Sequence, residues 1–274
     1  MRAKISTMSS DTPHTQVLAR KAGADSVDFT RESQLKEGHM AAKIIVVFNQ
    51  KGGCAKTMST MQLAGAFGLQ GLQVFVADMD PQNTAALWFH QATEEQPFPA
   101  EVMSMAPLKE AFLDKLGPLS AKFDVIIIDC PPALGSRVPW AGLLVADLAI
   151  IPVIPVMDNV WASKQAEELV LEARQSRKDK GIDTPLEAAY LLSMVRRGNV
   201  FEHCLNTLRE GALIPILKSS VAMRNAFPES QLFGCVAKSF GKSPATTDID
   251  AVANEVAKLL DLKLNKPAKA VKGK

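Results

Sequence analysis

Residues 44–57 constrain the fold of this chain more than any other segment. Ile44 to Phe48 form a continuous run of β-branched and aromatic residues, which is typical of a strand buried on both faces. The run leads directly into NQKGGCAKT over residues 49–57, and a helical pattern follows. A strand, a glycine-rich loop and a helix in this order are the context in which a phosphate-binding loop occurs.

Similar apolar runs recur along the chain and alternate with helical stretches. Further strands are predicted at 74–77, 125–128, 148–153, 188–195 and 213–217, and helices at 57–69, 136–145, 160–177, 200–209 and 249–260. This alternation predicts an α/β fold with a doubly wound, mostly parallel sheet and helices on both faces. Because ligands bind such sheets at the carboxyl ends of the strands, we expect the chemistry directly after each apolar run.

Composition divides the chain into three predicted parts. Residues 1–40 are a polar N-terminal extension, residues 41–262 are the α/β domain, and residues 263–274 are a lysine-rich basic tail. No apolar run approaches the roughly 20 residues of a membrane-spanning helix, so a cytoplasmic location without a membrane partner is expected. The four cysteines are widely spaced and include no CxxC pair, which favours neither a disulfide framework nor a zinc site.

The glycine-rich loop has the chemistry of a phosphate cradle. Gly52 and Gly53 lack a Cβ, so the backbone can curl and direct its N–H groups toward an anion. The start of the following helix adds free N–H groups and a favourable dipole. In this arrangement Lys56 would reach the β- and γ-phosphates, and the Thr57 hydroxyl would ligate Mg²⁺.

Two acidic segments follow other predicted strands. Asp78-Met79-Asp80-Pro81-Gln82 comes after the second apolar run, and Ile128 is followed by Asp129-Cys130-Pro131-Pro132. A carboxylate at the position of Asp129 can hold a Mg²⁺-bound water. Each acid alone is more often a strand cap than a ligand, but the three segments in this order indicate a nucleotide site.

These three segments resemble the motifs KGGxGK[ST], DxDPQ and an apolar strand ending in D of the ParA family of partition ATPases, small ParA type. The family belongs to the deviant Walker A class of P-loop NTPases, and the resemblance covers most of residues 43–260. It implies ATP and Mg²⁺ as cofactors and a homodimer in the ATP state. It also implies nucleotide contacts from Lys51, Gly52, Gly53, Cys54, Ala55, Lys56, Thr57 and Met58.

The resemblance also implies catalytic roles for individual side chains. Lys51 matches the family's signature lysine, which enters the partner's nucleotide site, and such an ammonium stabilises charge that develops during phosphoryl transfer. Asp80 matches the acid that positions the attacking water, and Lys56 is the third catalytic residue. Asp78 is expected to have a structural role.

Ala55 departs from the family pattern, which has glycine at this position. With a negative φ the extra methyl group would cost little, whereas a positive φ would strain the loop. We expect nucleotide binding to survive. Cys54 occupies a variable position and is interpreted as filler, although a thiol beside the phosphates could be sensitive to oxidation.

The resemblance further implies non-specific DNA binding, association with the nucleoid, and a ParB-like or cargo-adaptor partner that stimulates slow hydrolysis. The matching basic positions are Lys218 and Arg224, followed by Arg196 and Arg197. Exposed, solvated charges are the alternative interpretation of each.

Two other functions stay open at this point. One is a positioning ATPase for a protein cargo, such as a chemoreceptor cluster or a carboxysome. The other is a nucleotide-dependent scaffold or regulator without hydrolysis, which the Ala55 departure keeps open.

Overall fold

A computed structural model describes residues 42–132 and 135–264. The predicted extension over residues 1–40 lies outside this part of the chain, as does the predicted basic tail apart from residues 263 and 264. The domain boundaries therefore stay predictions.

The described residues form a six-stranded sheet in the order β3-β2-β4-β1-β5-β6, and every strand pair in it is parallel. The strands are β1 Lys43–Val47, β2 Val74–Asp78, β3 Glu101–Ser104, β4 Val125–Asp129, β5 Leu148–Val153 and β6 Glu187–Leu192. The predicted α/β fold with a parallel sheet is thus confirmed.

Eight α-helices connect or follow these strands in the described ranges. They are α1 Lys56–Gly68, α2 Thr84–Phe89, α3 Leu113–Lys122, α4 Val138–Val145, α5 Met157–Asp179, α6 Asn199–Gly211, α7 Ala226–Leu232 and α8 Pro244–Leu259. Two short 3₁₀ segments cover Ala106–Phe112 and Ala237–Phe240. None of the helices described combines the length and hydrophobicity that crossing a bilayer requires.

The sheet is covered on both faces because its central strands are apolar on both faces. Alternate strand residues such as Ile45 and Ile127 join α1 and α8 in one continuous core. On the opposite face α4 lies so close to the sheet that a Cβ at Gly142 would come 3.0 Å from Val46 Cγ2. This glycine therefore permits the close approach of α4 to β1.

Strand register places the three predicted motifs at one edge of the sheet. Val47, the last residue of β1, pairs with Asp129 at the end of β4, and Asp129 in turn pairs with Asp78 at the end of β2. The glycine-rich loop follows β1 and leads into α1. Since β4 lies between β1 and β2, Asp129 stands between the loop and the Asp78 turn.

The prediction of a strand at residues 213–217 is wrong. This segment makes only an isolated bridge between Tyr190 and Ile216 in the described residues. Pro215 lacks an N–H, and the N–H groups of Leu213 and Ile214 donate to Glu167 Oε1, so none of these three is free to extend a ladder.

The sheet also contains a strand that was not predicted. This strand, β3, lies at the sheet's edge and is largely exposed, so its sequence EVMS carries no apolar run.

Candidate functional site

The glycine-rich loop turns twice through left-handed backbone conformations. Gly53 has φ +70, and Ala55, which immediately precedes α1, has φ 68 and ψ 28. Ala55 therefore adopts the positive-φ alternative, in which an L-residue costs about 1–2 kcal/mol relative to a right-handed conformation. The sequence departure at this position places strain at the entrance of α1.

Replacing Ala55 with glycine is expected to raise the free energy of unfolding by about 1 kcal/mol, because glycine adopts positive φ without a Cβ clash. Urea denaturation of both proteins measures the change. Ala162→Gly inside α5 is the matched control, and there glycine should lower stability by about 1 kcal/mol. A destabilised Ala55→Gly variant would contradict the strained loop.

The Lys56 side chain lies within the loop and is only 7% exposed. Its Nζ donates a hydrogen bond of 3.0 Å to the carbonyl oxygen of Lys51 and lies 3.8 Å from Cys54 Sγ. The Cys54 thiol donates to the same carbonyl at 3.1 Å, and burial raises its pKa, so it stays protonated and is not a nucleophile. The predicted filler interpretation of Cys54 agrees with this contact.

Thr57 and Asp129 are joined directly at the base of the loop. Thr57 Oγ1 donates to Asp129 Oδ2 at 2.7 Å, and Thr60 Oγ1 donates to Asp129 Oδ1 at 3.1 Å. Thr60 was not predicted, although it lies one turn after Thr57 on the same face of α1. Met58, between them, packs partly against the hydrophobic core.

Burial strongly raises the pKa of the Asp129 carboxyl. Desolvation is the main cause that raises its pKa to about 7, and the charge of Asp78 adds to it, while the hydroxyls of Thr57 and Thr60 act in the opposite direction. A divalent cation near this group would favour its carboxylate form. Hydroxyl and carboxylate oxygens are the ligands that Mg²⁺ prefers, so this set fits that ion.

The two acids after β2 have different surroundings. Asp78 is fully buried, and its carboxylate accepts from the N–H groups of Ala86 at 3.0 Å and Asp80 at 3.1 Å. Burial raises the pKa of Asp78. Asp80 is half-buried, and its Oδ1 accepts from Gln82 N–H at 2.9 Å within its own turn. Asp78 therefore holds the turn that presents Asp80 at the edge of the sheet.

Lys51 forms an ion pair with Asp158 in the first turn of α5. Hydrogen bonding to the Lys51 ammonium holds the pKa of the Asp158 carboxyl below its ordinary value. Both groups are accessible to solvent, so the pair itself adds little stability. Asp158 was not predicted, although it follows the apolar run of β5, where ligand-binding residues are expected.

The predicted basic residues fall into two settings. Arg197 and Lys218 line one groove between α6 and the segment after it, together with Arg209, which was not predicted. Arg224 instead pairs with Asp248 at 2.9 Å, and Arg196 Nε contacts Met223 Sδ at 2.8 Å. Asp248 offsets the charge of Arg224, whereas the three cations of the groove share it with one carboxylate, that of Glu202, which leaves the groove with an excess of positive charge.

Comparisons with known proteins agree with this geometry. The CobQ/CobB/MinD/ParA nucleotide binding domain matches residues 45–265. The chain is 26% identical to the maintenance of carboxysome distribution protein A of Halothiobacillus neapolitanus over 77% of this chain and 95% of that protein. It is 31% identical to the chromosome partitioning protein ParA of Myxococcus xanthus over 61% of this chain and 70% of that protein.

Solved structures support the fold. The ATP complex of a Cyanothece McdA variant superposes with a TM-score of 0.63 at 18% identity and covers 82% of this chain and 99% of that one. Cobyrinic acid a,c-diamide synthase from Mycobacterium smegmatis, with an ATP analogue and magnesium, has a TM-score of 0.61 at 21% identity and covers 83% and 100%. From its loop, its sheet and the family match, this chain belongs to the CobQ/CobB/MinD/ParA nucleotide-binding domain family, and its resemblance to ParA is confirmed.

Proposed function

We propose that this chain is an ATPase that binds ATP with Mg²⁺ at the loop spanning residues 51–58. The observation that carries the proposal is the direct contact of 2.7 Å between Thr57 and Asp129, with the Lys56 ammonium held inside the same loop. This set supplies a cation for the phosphates and hard oxygen ligands for the metal. Solved relatives in complex with ATP, or with an ATP analogue and magnesium, support the same assignment.

The residues would divide the chemistry as follows. The N–H groups of the loop and of the first turn of α1 bind phosphate oxygens, because they have no acceptor within the helix. Lys56 leaves the Lys51 carbonyl for the β- and γ-phosphates. Thr57 ligates Mg²⁺, and Asp129 holds one of its waters. When bound, Mg²⁺ neutralises charge on the phosphates.

Hydrolysis would need two further groups at the same edge of the sheet. Asp80 positions the attacking water, and Lys51 from a second subunit stabilises charge on the transferred phosphoryl group. In the single chain the Lys51 ammonium is held by Asp158, and in the proposed site it would leave this partner for the nucleotide of the neighbouring chain. We therefore propose an ATP-dependent homodimer with slow turnover until a partner completes the cycle.

We propose that the dimer binds DNA without sequence preference through the groove lined by Arg197, Arg209 and Lys218. Binding through phosphates alone is sensitive to salt and indifferent to base sequence. A ParB-like protein or another cargo adaptor would stimulate hydrolysis and release the dimer. This cycle would place the chain on the nucleoid in the cytoplasm.

Two cargoes fit this cycle. Segregation of plasmid or chromosomal DNA is favoured by the similarity to chromosome partitioning ParA. Positioning of a protein cargo is favoured by the similarity to the carboxysome distribution protein, which extends over 95% of that relative's length. The ATPase residues are common to both cycles, so a ParB homologue or a protein-cargo adaptor encoded beside this chain is the discriminating feature.

DNA binding is expected only in the ATP state, and co-sedimentation with random-sequence DNA under ATP, ADP and no nucleotide measures it. The double variant Arg197→Ala with Lys218→Ala should bind more weakly and should lower the slope of log affinity against log salt by about 2. Lys178→Ala, an exposed change at the far end of α5, is the control. Equal sedimentation in all three nucleotide conditions would contradict the proposed cycle.

A scaffold without hydrolysis is the remaining alternative, and the positive φ of Ala55 is the feature that favours it. A phosphate-release assay with ATP, DNA and the candidate partner separates the two functions. Turnover that the partner increases supports the ATPase. ATP binding with no phosphate release under any of these conditions would favour the scaffold.

A further inference from the structure

The solvent-facing row of α5 contains an aromatic residue beside the candidate nucleotide site. The row comprises exposed residues at helical spacing, namely Asp158, Trp161, Gln165, Glu168 and Glu172. A helix face directed toward water is normally polar. Trp161 departs from this pattern, since 64% of its surface is exposed.

The position of Trp161 connects it to the loop lysine. It lies one turn after Asp158, so both side chains project from the same face of the helix. Asp158 holds Lys51, the residue proposed to enter a neighbouring subunit. Val156, directly before α5, is also 39% exposed, so apolar surface is present on both sides of Asp158 along the chain.

We infer that this face, consisting of Val156, Asp158 and Trp161, is where a second copy of this chain docks, with Trp161 as its apolar anchor. The inference rests on the proposed function and specifies the contact that would bring Lys51 into the neighbouring site.

The charges of the face suit a second copy of this chain as its occupant. Lys51 and Asp158 carry opposite charges on one surface, which makes that surface complementary to itself. In a two-fold dimer each residue meets its counterpart's partner, so Lys51 and Asp158 can exchange their ion pair between the two subunits. The exchange frees Lys51 from its own chain without leaving either charge unpaired.

The chemistry of tryptophan suits the anchor position. Tryptophan is enriched among the few residues that dominate binding energy, because its large ring excludes water near the centre of an interface. Exposure of such a ring in the single chain is an unfavourable state that docking would remove. The ion pair then supplies orientation, while Trp161 supplies most of the affinity.

Sedimentation velocity with Mg²⁺ and a non-hydrolysable ATP analogue tests the inference. Trp161→Ser should raise the dimer dissociation constant by about thirtyfold, and Trp161→Phe should restore most of the affinity. Ile182→Ser is the control, because Ile182 is 38% exposed just beyond the opposite end of α5, about 30 Å away. Binding of a fluorescent ATP analogue should be unchanged in single Trp161→Ser chains.

Tryptophan fluorescence provides an independent measurement. The chain has three tryptophans, of which Trp88 is buried and Trp140 is partly buried. Acrylamide quenching should fall when the wild-type chain dimerises, and the change should be lost in Trp161→Phe. An unchanged dimerisation constant in Trp161→Ser would overturn this inference alone. A wild-type chain that binds ATP but stays monomeric would overturn the proposed dimer and the inference with it.

Discussion

Lys56→Ala is expected to lower the affinity for ATP by about 100-fold or more. The Lys56 side chain is buried within the loop, where its ammonium already donates to the Lys51 carbonyl at 3.0 Å. Each hydrogen bond from a charged donor is worth roughly 1.5–3 kcal/mol, and Lys56 would make at least two of these to the phosphates. Removing it leaves the triphosphate charge without its main counter-charge in this loop.

Isothermal titration with ATP and Mg²⁺ measures this effect. Circular dichroism and urea denaturation should establish that the Lys56→Ala chain is folded, since a loss of fold would also abolish binding. Lys218→Ala, which removes an exposed cation outside the loop, should leave the affinity unchanged. A folded Lys56→Ala chain whose affinity stays within about threefold of wild type would contradict the phosphate cradle.

The part of the site near Asp129 could be predicted because it depends on strand ends. Parallel pairing of β1, β4 and β2 brings Val47, Asp129 and Asp78 into register, so motifs distant in sequence meet at one edge. Thr60 was not predicted because a threonine inside a helix carries no signal of its own. Its role depends on the direction in which α1 leaves the loop.

The backbone conformation of Ala55 illustrates a limit of the sequence. Alanine is compatible with both signs of φ at different energies, and the closure of the loop between β1 and α1 selects the positive value. The segment around Pro215 illustrates another limit. Its apolar run resembles a strand, but Glu167 on α5 accepts the N–H groups of Leu213 and Ile214, which a ladder would need.

The pairing of Lys51 with Asp158 depends on the order of the sheet. Because β5 lies directly beside β1, the start of α5 comes next to the glycine-rich loop, although the two residues are 107 positions apart. The sequence identified Lys51 through its motif, whereas its partner required the strand order. Asp158 therefore holds Lys51 within its own chain, whereas the proposed catalytic role places Lys51 in the site of a second subunit.

Lys51→Ala is expected to leave ATP affinity within about threefold of wild type while partner-stimulated turnover falls by at least about 100-fold. A cation that reaches the transferred phosphoryl group from a second subunit contributes on this scale or more, because it acts on charge in the transition state. Titration of the single chain measures the first quantity, and phosphate release measures the second. Lys51→Arg, which keeps the charge, should retain part of the turnover.

Mixing two inactive variants decides whether Lys51 acts in its own subunit or in the other. Asp80→Ala chains keep Lys51 and the loop, whereas Lys51→Ala chains keep Asp80. In a mixed dimer one site therefore combines an intact Asp80 with a Lys51 from the neighbour. Random mixing in equal amounts should restore about a quarter of wild-type turnover, because half of the dimers are mixed and each has one complete site. If Lys51 serves the nucleotide of its own chain, neither site of a mixed dimer is complete and turnover stays at the level of the separate variants.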